Sequence, residues 1–300
     1  GPDACRMAAV KWWTHWKEPF FMSQDYLDGL TPEQREAVLH RDGPLLILAG
    51  AGSGKTRVVT RRIAHMVNDG VPPNSILAIT FTNKAAGEMR DRVASLLPNL
   101  GDDRPVIRTF HAFAVRVLRR YTKRIGFPGG FAILDASDHL ALIRQAAVSA
   151  RVDVQKYRAH DLAQRVGRVK ELLDDEGFCA RATSDIDRAV AKTLPVYREL
   201  QRLRGAMDFE DLVAETVRLL EAHEDVREFM TETLRYVMVD EYQDTNHAQY
   251  RLANLLAGDR KNLAVVGDPD QSIYGWRGAD MGNILRFEED YPETKVILLE

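Results

Sequence analysis

The chain has 300 residues, 45% of them hydrophobic and 28% charged, with a formal net charge of −3. That length suggests two packed units, and that apolar content builds a core and excludes a disordered chain. The near-zero net charge excludes a global nucleic-acid signature, so any such signature must be local.

Residues 1–21 read as a tail. Gly1-Pro2 looks like the remnant of tag cleavage, Trp12, Trp13 and Trp16 follow no signal-peptide layout, and Met22 reads as the natural start. From Leu30 on, apolar runs of strand length alternate with helical patterns. Strands are expected at 44–49, 76–80, 106–109, 236–240, 262–266 and 295–299. Helices are expected at 56–67, 84–97 and from residue 111. Fully apolar strands separated by helices predict an α/β fold with a parallel sheet. From about 113 to 207 the periodicity is helical throughout, which predicts an all-helical domain inserted between two halves of the sheet domain, 22–112 and 208–300. The insertion follows the carboxyl end of a strand, so it overhangs the ligand edge of such a sheet. No apolar run approaches the ~18 residues of a membrane span. The two cysteines, Cys5 and Cys179, match no metal spacing and imply no disulfide framework, which fits a reducing cytoplasmic compartment.

The sharpest motif follows the first strand: Gly50, Ala51, Gly52, Ser53, Gly54, Lys55 and Thr56, opening a helix. Glycines let successive backbone N–H groups wrap phosphates, and the helix N-terminus adds positive potential. Lys55 is expected on the β- and γ-phosphates of ATP and Thr56 on Mg²⁺. Asp240 and Glu241 end the strand at 236–240. Asp240 is placed to hold the Mg²⁺ shell, and Glu241 to take a proton from an attacking water. Gln271, after the next strand, is a neutral side chain suited to reporting the γ-phosphate. A P-loop kinase is the other reading of such a loop. The acid pair and the absence of a readable acceptor pocket speak against it.

In this order the motifs resemble those of the UvrD/Rep/PcrA helicases of superfamily 1. The resemblance rests on Thr31 to Ala37, Gly50 to Arg57, Thr80 to Ala86, Thr109 to Phe113, Asp208 to Leu212, Asp240 to Asn246 and Gly267 to Gly278. It implies a RecA-like P-loop NTPase sheet carrying a helical insert, and ATP-driven 3′ to 5′ translocation on single-stranded DNA with duplex unwinding. It implies further that Gln34 reads the adenine edge and Arg57 stacks on the adenine face. Phe81, Asn83, His111, Tyr274, Trp276 and Arg277 would face DNA, with base stacking on Tyr274 and Trp276 worth roughly 1–3 kcal/mol each. The partners implied are single-stranded DNA, its junction with duplex, and DNA-repair proteins, for a monomer or weak oligomer. Gly87 stands where the family usually has a charged residue. In the family the strand before Glu300 leads into a second RecA-like domain, so the chain is expected to be a motor half. The alternative is an ATP- and DNA-binding fragment with little turnover.

A local basic signal accompanies the insert. From Arg108 to Lys170 there are thirteen Lys and Arg residues against four Asp, an excess of nine positive charges. Arg116, Arg119, Arg120 and Lys123 are expected on one helix face, with Phe113, Val117, Leu118, Tyr121 and Ile125 on the other. That excess points to phosphate binding, with duplex ahead of the motor as its ligand.

Overall fold

The computed structural model describes residues 24–268 and 282–299. The expectations for the tail and for Gln271, Tyr274, Trp276 and Arg277 lie outside the described residues.

The first half runs α1 (Pro32–Leu39), β1 (Leu45–Ala49), α2 (Lys55–Asn68), β2 (Ile76–Thr80), α3 (Asn83–Leu96), β3 (Val106–Thr109) and α4 (Phe110–Arg120). There follow β4 (Ala132–Ile133), α5 (Ala136–Ser149), α6 (Ala159–Leu172), α7 (Asp175–Arg181), α8 (Asp185–Arg204) and β5 (Ala206–Met207). The chain then returns through α9 (Phe209–Ala222), α10 (Glu224–Thr233), β6 (Tyr236–Val239), α11 (His247–Ala257), β7 (Leu263–Gly267), α12 (Gly282–Asp290) and β8 (Lys295–Leu299).

The six strands expected from apolar runs form one sheet in the order β3-β2-β6-β7-β1-β8, every pairing parallel. The runs of β1, β2, β6 and β7 are continuous because both faces are covered, whereas the edge strand β8 leaves Val296 and Leu298 exposed. Leu77, Ile79, Val237, Val239, Leu263 and Val265 pack with the helices returning from the insert. The alternate residues Ile76, Ala78, Tyr236, Met238, Ala264 and Val266 pack against α2 and α3. A third core, with Leu142, Ile143, Leu162, Val166, Val190, Leu194 and Tyr197, belongs to α5, α6 and α8. Among the described residues no helix is long and apolar enough to cross a membrane.

Two details differ from the sequence reading. A pair of two-residue strands, β4 and β5, joins the entry and exit of the insert, with Ala132 N–H on Gly205 O and Leu134 N–H on Met207 O at 2.8 Å. Two residues are too few to show a period of two. Helix α4 ends at Arg120, so Lys123 and Ile125 lie beyond it, and its buried Phe113, Val117 and Leu118 join the core of the sheet.

The basic excess is also partly cancelled. Arg124 pairs with Asp225 at 2.6 Å, Lys156 with Asp185 at 3.3 Å and Arg165 with Asp187 at 2.6 Å. Lys170 is wholly buried between Asp208 at 2.6 Å and Asp211 at 2.8 Å, so it faces no phosphate. Counting charges from 108 to 170 could not see these partners because all five lie beyond residue 170.

Candidate functional site

The order β6-β7-β1 brings three strand ends side by side, and the loops after them meet at the carboxyl edge of the sheet. Gly52 and Gly54 adopt left-handed φ values of 82° and 86°. Gly54 caps α2 without any side-chain hydrogen bond, so the helix N-terminus is left open to a ligand. A Cβ on Gly54 would approach Gln34 Nε2 to 3.0 Å, while above Gly50 and Gly52 a Cβ would meet nothing within 4 Å. Ser53 folds back through its Oγ onto Gly50 O at 2.7 Å. Ala51 is exposed, and Thr56 is half-buried beside Lys55.

Lys55 Nζ lies 3.2 Å from Glu241 Oε2 and 3.5 Å from Asp268 Oδ2. Glu241 follows β6 with φ 52° and ψ 45°, a left-handed conformation that costs a non-glycine residue about 1–2 kcal/mol. The turn aims its carboxylate at Lys55, and its N–H donates to Asp240 Oδ1 at 3.0 Å. Burial, and then the charge of Glu241, push the Asp240 carboxyl up to about 6, with Lys55 opposing. Gln243 ties the acids together: its Nε2 donates to Glu241 Oε2 at 2.8 Å, and its Oε1 accepts the N–H of Asp268 at 3.0 Å.

Mg²⁺ and a triphosphate fit this donor set. Asp240, Glu241 and Asp268 outnumber the single ammonium of Lys55, so the corner is net negative where a divalent cation would sit. The open loop beside it offers backbone N–H groups to anions.

On the base side, Gln34 Nε2 donates to Ser53 O at 2.8 Å, and Gln34 Oε1 accepts the N–H of Thr31 at 3.2 Å. The capping box of α1 thus fixes Gln34 against the phosphate loop. Arg57 is exposed, and its Nη2 donates to Asp28 O at 3.3 Å.

The remaining candidates sit at the ends of β2 and β3, the other half of the same edge. Phe81 is half-buried, meets Phe110 edge to face at 5.5 Å and packs on the core. Asn83 is exposed at the first position of α3, after the Thr82 cap. His111 stacks on Phe209 with ring centroids 3.7 Å apart and planes at 17°. Burial pushes the His111 imidazole down to about 4, so the ring is neutral near pH 7. Phe209 itself remains 53% exposed.

Three residues of these sites were not singled out by sequence reading. Asp268 ends an apolar strand just as Asp240 does, a pattern that could have found it. Phe209 is a bulky aromatic directly after a helix cap, where the core cannot take it. Gln243 lies within the Asp240 to Asn246 motif, but its contacts depend on β6 and β7 being neighbours, which the motif does not show.

Known proteins resemble this chain over most of its length. A family profile described as UvrD/REP helicase N-terminal domain matches residues 30–292. The ATP-dependent DNA helicase PcrA of Bacillus subtilis (strain 168) is 47% identical over 282 residues, which cover 93% of this chain and 38% of that protein. The PcrA of Leuconostoc citreum is 46% identical over 275 residues, 91% of this chain and 37% of that protein. The PcrA of Staphylococcus aureus (strain Mu50 / ATCC 700699) is 45% identical over 278 residues, 91% and 38%. The chain therefore spans well under half the length of these relatives, and it belongs to the UvrD/REP helicase family, of which it carries the N-terminal domain.

Proposed function

We propose that this chain is the ATP-binding half of a DNA helicase that moves 3′ to 5′ on single-stranded DNA. The observation that carries the reading is Lys55 Nζ within 3.2 Å of Glu241 and 3.5 Å of Asp268, above an uncapped glycine loop. In it, the amides of residues 50–56 and Lys55 hold the β- and γ-phosphates. Thr56 and Asp240 hold Mg²⁺, which when bound neutralises charge on the phosphate oxygens. Glu241 accepts the proton of the attacking water, and Gln243 and Asp268 keep Glu241 and Lys55 in register. Gln34 and Arg57 meet the adenine. His111, Phe209 and Asn83 receive single-stranded DNA at the β2–β3 half of the edge, and Phe81 braces them from the core. The insert, 113–207, faces duplex with its unpaired basic residues.

A second reading, a nucleotide- and DNA-binding unit with slow turnover, is favoured by one observation. Among the described residues Lys55 is the cation acting on Asp240, whereas phosphoryl transfer commonly also uses an arginine worth about 10³–10⁵ in rate. Single-turnover ATP hydrolysis by the chain, with and without single-stranded DNA, separates the two. Motor-like, DNA-stimulated rates sink the second reading. Failure to bind Mg²⁺-ATP at all sinks both. Polarity is read by ATP-driven displacement of streptavidin from oligonucleotides biotinylated at either end, with 3′ to 5′ movement clearing only the 5′ block.

A further inference from the structure

The short segment 26–29 precedes α1, yet it is fastened to α2. Tyr26 Oη and His65 Nδ1 share a hydrogen bond at 3.2 Å. Arg61 Nη1 donates to two carbonyls at once, Tyr26 O at 2.8 Å and Asp28 O at 2.6 Å. Between the two carbonyls Leu27 is buried in the core beneath α2. Arg57 stands one helical turn earlier on the same face. Its Nη2 reaches the Asp28 carbonyl only at 3.3 Å, against 2.6 Å for Arg61. Gly29 lets the two approach: it has φ +66°, and a Cβ there would come to 3.0 Å from Arg57 Nη2.

The two arginines therefore divide one task unequally. Arg61 takes the carbonyls in short, charge-assisted bonds, and the Arg57 guanidinium stays exposed and weakly held, its Cβ facing Gly54 of the phosphate loop beside Gln34. A guanidinium left flat and unspent can lie on a planar base. One drawn fully onto a carbonyl cannot.

We propose that Arg61 is a positioning residue for the adenine of ATP: by bridging the Tyr26 and Asp28 carbonyls it fixes segment 26–29 as the wall of the base site and leaves Arg57 free to stack. This rests on the proposed assignment of Gln34 and Arg57 to the base. Without Arg61, Asp28 O competes for Arg57 and segment 26–29 loosens, while the amides of residues 50–56 are untouched. The loss falls on the base half of the ligand alone.

The test is calorimetric titration of the 300-residue chain, with Mg²⁺ present, against a non-hydrolysable ATP analogue and against inorganic tripolyphosphate. Arg61→Gln weakens the ATP analogue about tenfold, through lost preorganisation, and leaves tripolyphosphate unchanged. Arg61→Lys, which keeps a charged donor in reach of both carbonyls, recovers most of the loss and serves if the glutamine variant does not fold. Equal weakening of both ligands, or of neither, overturns the proposal while leaving the ATP assignment standing. A wild-type chain that binds neither ligand overturns the ATP assignment itself.

Discussion

Lys170, where the insert joins α9, and Lys55, at the start of α2, each face a pair of carboxylates, and they are held in opposite ways. Lys170 is wholly buried, with Asp208 at 2.6 Å, Asp211 at 2.8 Å and Gln201 Oε1 at 3.3 Å. Tyr197 Oη donates to the same Asp208 at 2.7 Å, and Arg198 lies 3.1 Å from Asp211. Burial works against ionising Asp211, yet Lys170 and Arg198 hold it below the ordinary carboxylate range. Lys55 has longer contacts, 3.2 and 3.5 Å, a side chain 11% exposed, and an open loop beside it. A lysine that holds structure spends its donors on the protein. A lysine that serves a ligand keeps them loosely placed. The closed cluster matters for the proposed DNA side too, because Asp208 and Asp211 form the capping box of α9, whose first residue is Phe209.

The contrast breaks most visibly on substitution of the two lysines by methionine. Lys170→Met leaves buried Asp208 without its lysine and Asp211 with Arg198 alone, and should cost about 3–5 kcal/mol in denaturant unfolding, with nucleotide affinity of the folded protein unchanged. Lys55→Met should lower single-turnover ATP hydrolysis about 10²–10³-fold, with a much smaller change in unfolding free energy. Equal stability losses in the two variants would show that both lysines are structural and remove the distinction. A smaller effect sharpens it on the DNA side. Phe209→Ala removes one stacking surface and should weaken binding of a short oligothymidylate about tenfold, in line with the ~1–3 kcal/mol per stacked base. Fluorescence anisotropy reads this, and an unchanged affinity assigns the exposed ring to packing against His111 alone.

The two lysines also show what the sequence could and could not reveal. Lys55 was legible because its chemistry is local: an apolar strand, a glycine loop and a helix start lie within a dozen residues. Asp240 and Glu241 were legible for the same reason, as acids at the end of a four-residue buried strand. Lys170 looked like one more basic residue of a positive insert. Its partners are 38 and 41 positions further on, and only the return of the chain through β5 brings them back. The stack of His111 on Phe209 spans a wider gap still, 98 positions, so each ring was visible in its own motif and their contact was not. The six strands announced themselves through their apolar runs, four of which, β1, β2, β6 and β7, are covered on both faces. Their order did not, and that order decides which acids stand beside Lys55.

His111 allows the finest test, because burial alone pushes its pKa from 6.5 down to about 4. A base whose folded pKa lies below its unfolded value contributes stability that is full above pH 6.5. That contribution is lost as pH falls toward 4, since the unfolded chain takes up a proton that the folded one refuses. His111→Phe keeps an aromatic face against Phe209 and cannot titrate. The melting temperature of the wild type relative to this variant should therefore be constant above pH 7 and decline between pH 6.5 and about 4. A flat difference across that window would mean that the ring accepts a proton in place. At the proposed DNA face His111 would then stand as a cation at mildly acid pH, not as the neutral ring that its burial implies.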